Sequence, residues 1–180
     1  TGVATSYDWT IPTKFYNEMP VSISEVGILK CSTYNGSTLV GTTSAEFTVH
    51  VTNSNPVVGS FAYKDSNSVT VAITGNNQRI IRENSNLLFT IGTATAKNGA
   101  TISRYDILFN GETIRNESAG DVDLGPVNLS SNTEATLRVI DSRGNSSTKK
   151  ITITIDDWKL PTGLISLGRQ NNFYSETNVR

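Results

Sequence analysis

The sequence predicts an all-β chain, and three observations carry that expectation. Apolar residues recur at every second position, turn signals separate the runs, and no stretch holds a 3.6-residue apolar stripe for three turns. The runs can be taken in order. Val26, Ile28 and the lone Cys31 share one strand-like run, with Cys31 expected as a small buried apolar residue. Phe47, Val49 and Val51 alternate with Thr48, His50 and Thr52, which turns His50 to the polar face. Val69, Val71 and Ile73 alternate with Thr70, Ala72 and Thr74 and read as a strand. Gln78 to Leu88 comes nearest to a helix, but its β-branched residues and crowded Asn argue against one. Ile102, Tyr105, Ile107 and Phe109 mark a further run. Ala135, Leu137 and Val139 follow, with Ile140 breaking the alternation. Ile151, Ile153 and Ile155 alternate with Thr152, Thr154 and Asp156.

Turn chemistry falls between these runs. Asn35-Gly36 supplies the positive φ of a hairpin, and Asp141-Ser142-Arg143-Gly144-Asn145 reads as another turn. There the Asp141 carboxylate accepts backbone N–H bonds, Gly144 takes the left-handed position and Asn145 closes the loop. A partner-contacting loop is the competing reading of those five residues.

Two boundaries divide the chain, at Asn55-Pro56 and at Leu160-Pro161, where a strand ends in a polar turn and a proline follows. Residues 54–157 hold about seven strand-like runs, enough for a complete immunoglobulin-like β-sandwich. Residues 1–53 hold about four, too few for a comfortable core of their own. They are expected to be the C-terminal part of a sandwich whose first half lies upstream, or a small sheet completed by another chain. Residues 158–180 read as a linker and the start of a following module. Tandem immunoglobulin-like modules joined by stiff connectors would make a rod. The chain opens on Thr1-Gly2 with no initiator methionine, so a longer parent protein is expected.

Composition narrows the function. The chain has 180 residues, 36% hydrophobic and 17% charged, with a formal net charge of -1. Thr, Ser and Asn supply 24, 20 and 18 residues, so surface polarity comes from neutral groups. Nucleic acid is not expected as a partner, because backbone affinity needs clustered Lys and Arg. Neither is membrane insertion, since no apolar run reaches 18 residues. One Cys and one His build no zinc site, and no cofactor or metal is expected. Asp121 with Asp123, and Asp156 with Asp157, fall short of the six to eight oxygens calcium takes. No nucleophile elbow, zinc-protease motif or phosphate loop is present, and no carboxylate pair is nominated for glycan hydrolysis, so no catalytic residue is assigned.

The stretches Trp9-Thr10-Ile11-Pro12-Thr13-Lys14-Phe15-Tyr16 and Cys31-Ser32-Thr33-Tyr34-Asn35-Gly36-Ser37-Thr38-Leu39-Val40-Gly41-Thr42 resemble a known family. Phe61-Ala62-Tyr63-Lys64-Asp65-Ser66-Asn67, Ala94-Thr95-Ala96-Lys97-Asn98-Gly99, the Asp141–Asn145 turn and Arg169-Gln170-Asn171-Asn172 continue the match in the same order. The family is that of minor structural proteins in the tails of long-tailed phages of Gram-positive cocci. The resemblance implies a non-enzymatic virion protein of the tail or its host-facing tip, with other tail proteins as partners and a homo-oligomer open. It carries no known binding residue across. A modular spacer or support for host recognition is the leading expectation. The alternative is an adhesin module that binds cell-wall or capsular polysaccharide, with Tyr7, Trp9 and Tyr34 as candidate stacking residues. Trp158, Pro56 and Pro161 are the candidates for packing between modules.

Overall fold

The structure, a computed structural model, describes residues 8–157. Two parts are present. The first is a ribbon of two long antiparallel strands, β1 (Ser24–Asn35) and β2 (Thr38–His50), preceded by a single helical turn, α1 (Lys14–Asn17). Ser24 lies opposite His50 and Asn35 opposite Thr38, so the strands pair along their whole length. Gly36 opens the two-residue loop with φ +61°, as the first central position of a II′ hairpin turn requires. A register shift between Thr33 and Tyr34 marks a bulge near the tip.

The second part is a β-sandwich. Its smaller sheet runs β3 (Phe61–Asp65), β5 (Asn86–Ile91), β8 (Gly120–Pro126). Its larger sheet has the order β4 (Arg79–Ile81), β10 (Ser146–Asp156), β9 (Thr133–Asp141), β6 (Ile102–Phe109), β7 (Glu112–Asn116). All pairings within the two sheets are antiparallel except β4 on β10, because the chain crosses from the small sheet to the large one between β3 and β4. This is an all-β chain with an immunoglobulin-like sandwich.

Alternation along each strand sends one side chain in two to the core. Phe61, Leu87, Phe89 and Ile91 descend from the small sheet onto Tyr105, Ile107, Phe109, Ala135, Leu137, Val139 and Ile153 of the large one. Phe89 stacks on Phe61 at 5.4 Å and meets Phe109 edge-on at 5.5 Å. The Tyr63 phenol joins the sheets by hydrogen bonds. It donates to the Gln78 carbonyl (2.7 Å) and accepts from the Thr154 N–H (3.0 Å).

One segment departs from its apolar alternation. Ser68–Thr74, read from Val69, Val71 and Ile73 as a strand, is the helix α2. Local capping overrides the period. The Asn67 side chain accepts from Val69 N–H, and Gly75, at φ +66°, closes the C-terminus by bonding Val71 O. The helix also inverts the expected faces: Val69 and Ile73 are exposed, and Thr70 is buried. Thr70 goes inward because its hydroxyl donates to the buried Asp65 carboxylate. That carboxylate also accepts from Ser85 Oγ (2.6 Å), Asn67 N–H (2.9 Å) and Asn86 N–H (3.1 Å), so no oxygen is left bare.

One smaller expectation also differs. Cys31 is exposed on the ribbon, because neither face of its strand is covered at that level. Trp9 lies outside any strand, ahead of the α1 turn.

Truncating Asp65 to Ala leaves Thr70, Ser85 and two backbone amides without their acceptor inside the fold. The cost expected is about 3 kcal/mol. Urea unfolding measures it, and an unchanged midpoint would mean that the cluster does not hold α2 in place.

Candidate functional site

The functional question turns on how the ribbon is held to the sandwich. The joint is built from the β9–β10 turn, and its geometry starts with Asp141. Its buried carboxylate accepts from the N–H groups of Arg143 (3.0 Å) and Asn145 (2.8 Å), and Gly144 sits at φ +84°. Asn145 Nδ2 donates to Asp141 (3.1 Å) and to Ser54 Oγ (3.0 Å). The turn is thus fully pinned, and it aims one side chain outward.

That side chain is Arg143. Its Nε donates to the carbonyl oxygens of Met19 (2.8 Å) and Ser22 (3.1 Å). Nη1 donates to Lys97 O (3.0 Å), and Nη2 to Tyr16 O (2.9 Å) and Asn98 O. One half-buried guanidinium therefore gathers backbone from the α1 loop and from the 97–98 loop of the sandwich. Arginine alone has the planar fork of donors for this, and it keeps its charge without a carboxylate partner. Ser142 adds a second tie, donating to Pro20 O and accepting from Thr101 N–H (3.1 Å). Asn98 Nδ2 reaches Thr52 O at 3.3 Å.

Apolar packing supports the polar joint. Met19, Val49 and Val51 are buried together, with Ile11, Tyr16 and Phe47 against them. Gly99, at φ +78°, lies so close to Asn17 that a Cβ would stand 2.7 Å from its Cα. Gly27 likewise makes room for the Phe47 ring, which a Cβ would meet at 2.5 Å.

Trp9 lies at the side of this small core. It packs edge-on against Phe15 (5.8 Å) and Phe47 (6.0 Å) and remains 44% exposed. It lines an open recess of about 230 Å³ with Ile11, Leu29, Ala45, Glu46 and Phe47. Glu46 is the one charged group in that lining. Tyr34 is at the ribbon's far end, seven residues along β1 from the Phe47-facing Gly27, about 24 Å at strand rise. The structure does not bring Trp9 and Tyr34 together. Tyr7, Trp158 and Pro161 lie outside the described residues. Pro56 is buried at the entry to the sandwich.

Both aspartate pairs weighed for calcium have partners within the fold. Asp121 accepts from Thr90 Oγ1 (2.8 Å) and Asp123 from Gly125 N–H (2.8 Å). Asp156 pairs with Arg79 at 2.6 Å and Asp157 with Arg82 at 3.0 Å. The Asp156 hydrogen bond, then its charge, raises the Arg79 pKa. Buried Asp106 is held by Arg138 across the strand pair (2.8 Å) and by Arg104 (3.3 Å). Among the described residues no group of three or more His, Cys, Asp or Glu side chains could hold a metal. His50 is exposed. No described helix is long and apolar enough to cross a membrane.

The sequence offered Asp141–Asn145 as a turn or as a partner-contacting loop; the structure forms the turn, and the contacts Arg143 makes from it are with other segments of the same chain. Reading it as a turn accounted for Asp141, Gly144 and Asn145. Arg143 was missed, because its acceptors are main-chain carbonyls that leave no trace in sequence. Replacing Arg143 with Ala is expected to free residues 14–22, raising their amide exchange about thirtyfold, or about 2 kcal/mol. The sandwich midpoint should barely move. Gly99→Val should give the same pattern by clash, and exchange confined to the sandwich in both variants would refute the joint.

Among curated proteins, none matches the chain. The fibronectin(III)-like modules of Clostridium thermocellum CbhA are 15% identical over 81% of this chain and 84% of theirs, with a TM-score of 0.36. A superposition that loose carries no argument, and the fold rests on the strand order given above. The family model described as siphovirus protein of unknown function (DUF859) matches residues 1–172. That match spans nearly the whole chain, ribbon, joint and sandwich together, and the chain belongs to this siphovirus family.

Proposed function

We propose that the chain is a non-enzymatic structural protein of the siphovirus virion, a spacer or support for host-recognition machinery in the tail or at its host-facing tip. The observation that carries the reading is the Arg143 joint. A single guanidinium, a buried turn and a small apolar core fix a ribbon about 40 Å long to a folded module. A part that has to transmit position needs such a fixed angle. A part that only tethers does not. The chain's partners on this reading are other tail proteins.

A second reading has one observation in its favour. The exposed face of Trp9 beside the open recess could stack on a sugar of the host wall or capsule. Against it, glycans also need several hydrogen-bonding groups around the ring, and this lining supplies Glu46 with five apolar residues.

Pull-down on purified host cell walls and their stripped polysaccharide separates the two. The spacer reading expects no saturable binding by the chain, alongside binding by intact virions. Saturable binding that Trp9→Ala abolishes, in a variant with an unchanged melting curve, would establish the adhesin instead.

A further inference from the structure

We propose that Trp158, the residue that follows the last described one, seats in a recess at the exit of the sandwich and fixes the direction in which the chain leaves it. The recess is open and has a volume of about 490 Å³. Ile73 of α2, Ile81 of β4 and Ile155 of β10 give it an apolar lining, and Arg79, Asp156 and Asp157 supply its charged groups. Ile81 and Ile155 are buried while Ile73 is 58% exposed, so the apolar surface left uncovered is on α2. Val69, one turn back on the same face of that helix, is exposed as well.

Covalent continuity selects the occupant. Asp157 itself lines the recess, so the Cα of Trp158 starts about 3.8 Å from that of a lining residue. An occupant tied so closely has almost no loop to close, whereas a separate chain gives up its free translation and rotation to bind. The approach is also aimed. Parallel pairing sets Thr154 beside Arg79 and Asp156 beside Ile81, and the Arg82 N–H donates to Asp156 O (3.0 Å), which holds β10 to its end. Asp157 is then tied to the Arg82 side chain at 3.0 Å. Alternation carried one step past Asp157 turns Trp158 to the face of Asp156, which Ile81 and Arg79 share. The charged lining favours an aromatic ring there. Asp156 holds the half-exposed Arg79 guanidinium in place at 2.6 Å, and a fixed cation attracts the face of an indole more than an aliphatic side chain. Leu160 comes at the next alternate position, and Pro161 behind it biases it to an extended backbone, which supplies a second apolar side chain on the same face.

Fluorescence tests this directly, because Trp9 and Trp158 are the only tryptophans and Trp9→Phe leaves Trp158 as the sole reporter. In that chain the indole is expected to emit to the blue of free tryptophan and to resist acrylamide, at every protein concentration. Adding Ile73→Glu, at an exposed position, should move the emission to the red and raise quenching severalfold, with far-UV circular dichroism unchanged. Methyl NMR gives an independent readout: the Ile73 δ1 methyl should carry a ring-current shift that Trp158→Leu abolishes. An indole as quenchable as free tryptophan in the Trp9→Phe chain overturns the inference. So does shielding that Ile73→Glu leaves intact, or an Ile73 methyl that Trp158→Leu does not move. Shielding that is lost on dilution overturns it too, and assigns the cover of Trp158 to a second copy of the chain.

Discussion

The arrangement of this molecule depends on one guanidinium. Arg143 is held at its root by a turn whose own carboxylate is buried, and at its head by carbonyl oxygens from two separate segments. Each half of that statement needs the other. If the turn were loose, the fork of donors would sample many directions and lose the entropy argument for binding backbone. If the carbonyls were absent, a half-buried cation without a carboxylate would be a cost. The closeness of Gly99 to Asn17 and the burial of Met19 against Val49 and Val51 reinforce this contact.

The sandwich uses the same device at other points: a buried aspartate organises a local motif. Asp65 gathers Thr70, Ser85 and two amides and so fixes where α2 starts. Asp141 gathers the β9–β10 turn, and Asp106 takes arginines from its own strand and the next. In a chain with few charges, most of the buried ones are committed to geometry. The neutral Thr, Ser and Asn surface then carries solubility.

Much of the fold was legible because period-two patterning reports burial directly. Leu137, Val139, Ile107 and Ile153 stand at alternating positions of their runs, and each is fully buried. The failures have separate physical causes. At Val69–Ile73 the alternation was real, but caps at Asn67 and Gly75 and the pull of Asp65 on Thr70 were stronger than any strand preference. At Cys31 the assumption that a patterned strand is covered failed, because pattern says which residues share a face and nothing about whether that face has a partner. The joint was the least legible part. Arg143, Tyr16 and Lys97 stand far apart in sequence, and the acceptors are main-chain atoms identical in every residue.

That last property has a consequence for how the joint tolerates change. A carbonyl oxygen survives almost any side-chain substitution, so the contact itself sets no side chain on the acceptor side: exposed Lys97 can drift in identity, while Met19 and Tyr16 answer to the apolar core and Asn98 to its bond with Thr52 O. The donor has no such freedom: a lysine offers a point charge in place of the fork. The demand of this contact is therefore lopsided: it fixes the side chain at position 143 and only the backbone on the side of the loops. Exposed loop positions such as Lys97 are left free to diversify without altering the angle at which the ribbon stands.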